Sequence, residues 1–137
     1  MIKKSIVRLL LCSVTFSIVV AQMTDGCELP DSNISGFINL GDDGSVYYKT
    51  PEDIGGWQFD VVGTTVSSVS GGATETAGLS IQASGNFVLA FTFNSSSVFI
   101  PAGCGTLTEL DLVGTATGLS EIVVSDTGGN SILFEYY

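Results

Sequence analysis

Trp57, Phe59 and Val61 alternate with Gln58 and Asp60, and Phe87, Leu89, Phe91 and Phe93 again occupy every second position. A two-residue period puts one set of side chains on each face of an extended strand, so the alternation predicts half-buried β-strands and not helices. Four large residues on one parity make 87–93 the expected central core strand. Ile34, Ile38 and Leu40 also share a parity, Gly41-Asp42-Asp43-Gly44 reads as a turn, and Val46-Tyr47-Tyr48 forms the second arm of a hairpin. Val66 and Val69 suit a short edge strand, and 71–78 reads as a loop with room for one helical turn. Strands are further expected at 79–83 and 98–100, and around Leu110 and Leu112, which face inward. Ile122-Val123-Val124 and Ile132-Leu133-Phe134 then form a last hairpin about the turn 126–130. About eight or nine short strands with glycine-rich turns predict an all-β sandwich.

Ahead of this pattern, Lys3, Lys4 and Arg8 precede an apolar run from Leu9 to Val20 that ends in Val19-Val20-Ala21. That order of charge, apolar run and small residue predicts a cleaved export signal over 1–21. The run is too short for a spanning helix, which needs about 20 apolar residues. Leu11 stands before Cys12 where a lipidated cysteine calls for a small residue. The remainder divides into a polar leader, 22–35, expected to be flexible and tied down by Cys27, and one domain, 36–137. The expected location is secreted, extracellular or at the cell surface through a partner.

Removing the signal leaves Lys49 as the single cationic side chain against fourteen Asp and Glu residues. Such a surface repels phosphate backbones, whose binding depends on Lys and Arg, so no nucleic-acid partner is expected and anionic membranes are poor partners. Acidity of this degree serves solubility, or attracts divalent cations or a basic partner. Of the cysteines, Cys27 and Cys104 remain, the latter in an expected glycine-flanked loop. Exported, paired in number and far apart, they read as one disulfide, with free thiols or an intermolecular link as the alternatives.

The chain has no histidine, which removes Ser-His-Asp and Cys-His catalysis and histidine-based zinc sites. Asp126-Thr127-Gly128 matches the catalytic tripeptide of aspartic proteases, but Ser125 precedes it where an apolar residue belongs, and too few residues follow to build a flap. A hairpin turn explains the tripeptide, and no catalytic residue is assigned. Asp42, Asp43, Glu52 and Asp53 flank two turns expected to lie near one another, and carboxylates on loops suit calcium, so these four are the candidate metal ligands. No other cofactor is expected. Tyr47 and Tyr48 are adjacent, so on a strand one of them points outward; they are the candidate ligand-binding aromatics, with Tyr136 and Tyr137 posing the same question. Trp57 shares the parity of Phe59 and is expected in the core. Asn33-Ile34-Ser35 and Asn94-Ser95-Ser96 fit the glycosylation tripeptide.

Gly55-Gly56-Trp57-Gln58-Phe59-Asp60-Val61 resembles the early strand of cohesin modules. Ile100-Pro101-Ala102-Gly103-Cys104-Gly105-Thr106-Leu107-Thr108-Glu109-Leu110 resembles the loop and later core strand of the same family. The likeness runs from about Gly36 to Phe134. It implies a jelly-roll sandwich related to carbohydrate-binding modules, and a binding or scaffolding role instead of catalysis. The expected function is therefore a non-catalytic adhesion or recognition module that presents a sheet face or edge to an extracellular protein or glycan. A self-associating structural subunit, adding strands edge to edge, is the alternative.

Overall fold

The computed structural model describes residues 22–93 and 97–137. The expected export signal and the tripeptide Asn94-Ser95-Ser96 lie outside the described residues. The strands are β1 (Gly36–Leu40), β2 (Ser45–Thr50), β3 (Gly56–Val62), β4 (Val66–Ser70), β5 (Ser80–Ser84), β6 (Phe87–Phe91), β7 (Gly103–Leu112), β8 (Gly118–Ser125), β9 (Ser131–Ile132) and β10 (Phe134–Tyr136). A short helix, α1 (Gly72–Ala77), occupies the expected loop between β4 and β5.

Two five-stranded sheets stack, ordered β10-β1-β2-β7-β4 and β5-β6-β3-β8-β9. All neighbours are antiparallel except β1 and β10, which run parallel. The expected last hairpin is divided between the sheets: β9 pairs with β8, and after Leu133 the chain crosses so that β10 pairs with β1. Cys104 lies within β7, opposite Lys49, and not in a loop.

Ile38, Val46, Tyr48, Leu107 and Leu110 of the first sheet meet Trp57, Phe59, Val61, Val88, Leu119 and Val124 of the second in one core. Trp57 and Phe59 stack with ring centroids 5.0 Å apart. The indole Nε1 donates to Thr74 Oγ1 at 3.1 Å, and that hydroxyl donates to the Leu107 carbonyl at 2.7 Å, so the buried polar atoms of this part of the core are paired. Ile54 and Ile100 exchange backbone hydrogen bonds of 2.8 Å and close one end, both fully buried.

On β6 the parity expectation reverses. Val88 and Ala90 point inward at 0% and 1% exposure, while Phe87, Leu89 and Phe91 face out and Phe93 beyond them is 81% exposed. The register explains it: Ala90 stands opposite Trp57, and Val88 opposite Phe59. Two stacked aromatics on β3 fill the space between the sheets, and a close-packed interior then accepts only small partners on the next strand.

The leader is folded onto the outside of the first sheet. Cys27 is joined to Cys104 by a disulfide with a Cα–Cα distance of 4.9 Å. A 3-10 turn at Gly26–Glu28 is capped by Asp25, whose carboxylate accepts from the Cys27 N–H. Gly26 crosses so close to the strands that a Cβ there would collide with the carbonyl oxygens of Gly105 and Tyr48. Lys49 pairs with Asp31 and donates to the carbonyls of Leu29 and Cys27 at 3.1 and 3.3 Å.

Candidate binding surface

The residues expected to bind ligands do not come together. Tyr47 and Tyr48 are both buried, at 6% and 5% exposure. Tyr48 joins the core, where desolvation pushes its hydroxyl pKa up. Tyr47 shares the opposite parity with Lys49 and is buried all the same, so neither tyrosine is presented. Trp57 is in the core as its parity requires. Tyr136 and Tyr137 are exposed at the β10 edge beside β1, where the Tyr136 hydroxyl accepts from the Leu40 N–H and the Tyr137 ring meets Phe37 edge to face.

The four candidate calcium ligands are also separated. Asp42 and Asp43 sit in the β1–β2 turn, and Glu52 and Asp53 follow the other end of β2, a strand length of roughly 17 Å away at about 3.3 Å per residue. Three of the four carboxylates accept hydrogen bonds from separate parts of the chain. Asp43 accepts from the Ser45 N–H, Asp42 from the Gln22 side chain, and Asp53 from the Ala102 N–H. Among the described residues no three His, Cys, Asp or Glu side chains are grouped as a metal site. Asp126 heads a turn, as expected, with one carboxylate oxygen accepting from the N–H groups of Gly128 at 2.9 Å and Asn130 at 2.8 Å. These donors, the Asn130 N–H foremost, hold its carboxyl below the usual carboxylate range.

What the structure does assemble is the outer face of the sheet β5-β6-β3-β8-β9. Cross-strand pairing lines up Gln82, Leu89, Gln58 and Val123 in one row, and Ser84, Phe87, Asp60 and Ser120 in another. β6 therefore forms an apolar ridge, flanked by polar side chains, with Val123 exposed to 50% on β8. Beside the ridge lies a shallow depression of about 330 Å³. It opens because β3 carries Gly56 where a side chain would otherwise stand, between Phe91 and Val98 on one side and Val123, Ser125 and Asp126 on the other. At the far end β8 bulges, with Glu121 at φ 51° where the register against β3 shifts by one residue.

Leu89, Phe91, Val123 and Gly56 were not legible as surface from alternation alone. The signal that marks Leu89 and Phe91 is volume: Trp57 and Phe59 on one strand and four large residues on its sheet neighbour exceed what a single core layer holds.

No family model and no curated protein matches the chain. Among solved structures, the non-cellulosomal cohesin from the hyperthermophilic archaeon Archaeoglobus fulgidus superposes with a TM-score of 0.53 at 18% identity, over 74% of this chain and 86% of that one. The fold is a cohesin-like β-sandwich. The resemblance seen around Trp57 and after Ile100 thus extends to the architecture. The cohesin-like core holds both quoted segments, the first as β3 and the second as the Ile100 bridge leading into β7.

Proposed function

We propose that this chain is an exported, non-catalytic protein-binding module whose docking surface is the outer face of β5-β6-β3-β8-β9. The observation that carries this reading is the orientation of β6. Its large side chains, Phe87, Leu89 and Phe91, lie outside while Val88 and Ala90 fill the core. These three half-buried side chains, with the exposed Phe93 and Val123 beside them, make an apolar ridge rimmed by polar residues, the kind of patch that marks protein interaction sites. Support for a non-catalytic role comes from the absence of histidine and from the engagement of Asp126 in its own turn. Export is supported by the charged and apolar start of the chain together with the Cys27–Cys104 bond, which persists in oxidising surroundings. The reading takes a protein partner over a glycan because the aromatics expected to stack on sugars, Tyr47, Tyr48 and Trp57, are buried.

The test is affinity capture from the exported proteins of the source organism, with the wild-type chain and the Val123→Asp variant side by side, in calcium and in chelator. A partner retained by the wild type and lost by the variant is the expected result, without dependence on calcium. Retention by both contradicts the assignment of this face. Size-exclusion chromatography at rising concentration reads the alternative, since a concentration-dependent assembly lost in Val123→Asp would make the partner a second copy.

A further inference from the structure

Resting on the export proposed above, we infer that Asn33 carries an N-linked oligosaccharide, attached before the leader docks against β2 and β7. Asn33-Ile34-Ser35 has the acceptor tripeptide. Asp31 stands two residues before the asparagine, so the segment also meets the longer acceptor pattern with an acidic residue at that place, whereas Asn94 has Thr92 there. The fold sets Asn33 apart from the other described asparagines. Asn39 donates a carboxamide N–H to the Tyr137 carbonyl, Asn86 to the Val61 carbonyl and Asn130 to the Asp126 carboxylate. The Asn33 carboxamide has no protein partner among the described residues and is exposed in a bend ahead of β1.

The surroundings suit a sugar chain. A cleft of about 520 Å³ beside Asn33, bounded by Pro30, Lys49, Pro51 and Cys104, leaves room for the first residues of a glycan. Ile34 is 75% exposed, and Leu133, whose carbonyl accepts from the Gly36 N–H, is 59% exposed. Both lie at the start of the β1–β10 pair, in which β10 is the outer strand of its sheet. A bulky, hydrated chain on Asn33 covers apolar side chains there and hinders a second chain from pairing with the open edge.

The transfer joins Asn33 Nδ2 to the anomeric carbon of a sugar carried on a lipid pyrophosphate. The bond from that carbon to the pyrophosphate oxygen breaks, the pyrophosphate leaves on its lipid, and one carboxamide proton passes to a base. A transferase has to reach the Ser35 hydroxyl as well as the asparagine, and in the folded chain that serine is 6% exposed. Its Oγ faces the Gly36 carbonyl at 3.4 Å, its N–H donates to Ser32 Oγ at 3.1 Å, and Asp31 is paired with Lys49. The acceptor is therefore read on the extended chain, before the Cys27–Cys104 bond closes and the leader settles on the sheet.

Lys49 is the single Lys or Arg after position 21, so trypsin cuts the reduced protein there and separates Asn33 from Asn94, which lies in the fragment 50–137. The full chain, purified from its own host, is digested in this way and both fragments are weighed by mass spectrometry. The fragment ending at Lys49 is expected to exceed its sequence mass by a whole number of sugar residues. That excess is expected to vanish in Asn33→Gln and Ser35→Ala and to persist in Ser35→Thr, which keeps the hydroxyl. The double variant Cys27→Ser with Cys104→Ser, weighed as total chain whether folded or not, is expected to be occupied at least as fully as the wild type. An exported chain whose fragment to Lys49 has its bare sequence mass overturns the inference and leaves export standing. Added mass that stays in Asn33→Gln, or sits on 50–137 alone, overturns the assignment to Asn33. A chain kept inside the cell with 1–21 attached overturns both the inference and export. Occupancy that falls in the cysteine double variant contradicts attachment before docking.

Discussion

Trp57 stands directly opposite Ala90 on the β3–β6 ladder, inside the sandwich, while Leu89 beside it points away from the core. The pairing sets which face of β6 the protein keeps and which it shows. Ala90→Leu forces extra volume against the indole and is expected to cost about 1–3 kcal/mol of stability. Leu89→Ala, outside the core, is expected to cost clearly less. Urea unfolding of both variants checks the orientation, and a larger loss for Leu89→Ala would reverse it.

Thr74 links helix α1 to the core through two hydrogen bonds, one from the Trp57 indole and one to Leu107. Thr74→Val keeps the shape and strands a buried donor and a buried acceptor. The expected loss is about 1–3 kcal/mol for each group left unpaired. Thr74→Ser retains the hydroxyl and is expected to keep most of the stability, so a Ser variant as unstable as the Val variant assigns the loss to packing.

The Cys27–Cys104 bond spans 77 residues of chain. Closing a loop of that size restricts the unfolded state by on the order of 4 kcal/mol, less any native strain. Cys104→Ser is expected to lower the melting temperature and to open the leader to proteases near Gly26. An unchanged melt removes the disulfide from the stability account.

How much was legible beforehand differs along the chain. The Trp57 strand, the β1–β2 turn, the Asp126 turn and the sandwich class followed from period two and turn chemistry, which are local. The facing of β6, the burial of Tyr47 and the separation of Asp43 from Asp53 were not local. Alternation tells which residues share a face and leaves open which face is inside. That choice depended on Trp57 and Phe59 one strand away. Tyr47 lies on the face of β2 that carries Lys49, to which the leader is tied through Cys104, a contact that no window of sequence contains.

Asp126 has a carboxyl held below its ordinary value of 3.8 by the N–H groups of its turn, that of Asn130 first. A folded value below the unfolded one contributes stability that is fully present above pH 3.8 and is lost as pH falls through the folded value. The wild type is therefore expected to exceed Asp126→Asn in melting temperature at neutral pH, with the gap closing in acid below that range. A gap that stays constant through the acid range would contradict the hydrogen-bonded carboxylate.

The most direct measurement is hydroxyl-radical footprinting of the captured complex against the free chain. The account places the partner on Leu89, Phe91 and Val123, so these side chains lose oxidation in the complex while Val113, Tyr136 and Tyr137 keep theirs. Protection of Tyr136, Tyr137 and Ile34, with Leu89, Phe91 and Val123 unchanged, would contradict it and move the docking site to the leader-covered sheet and its edge.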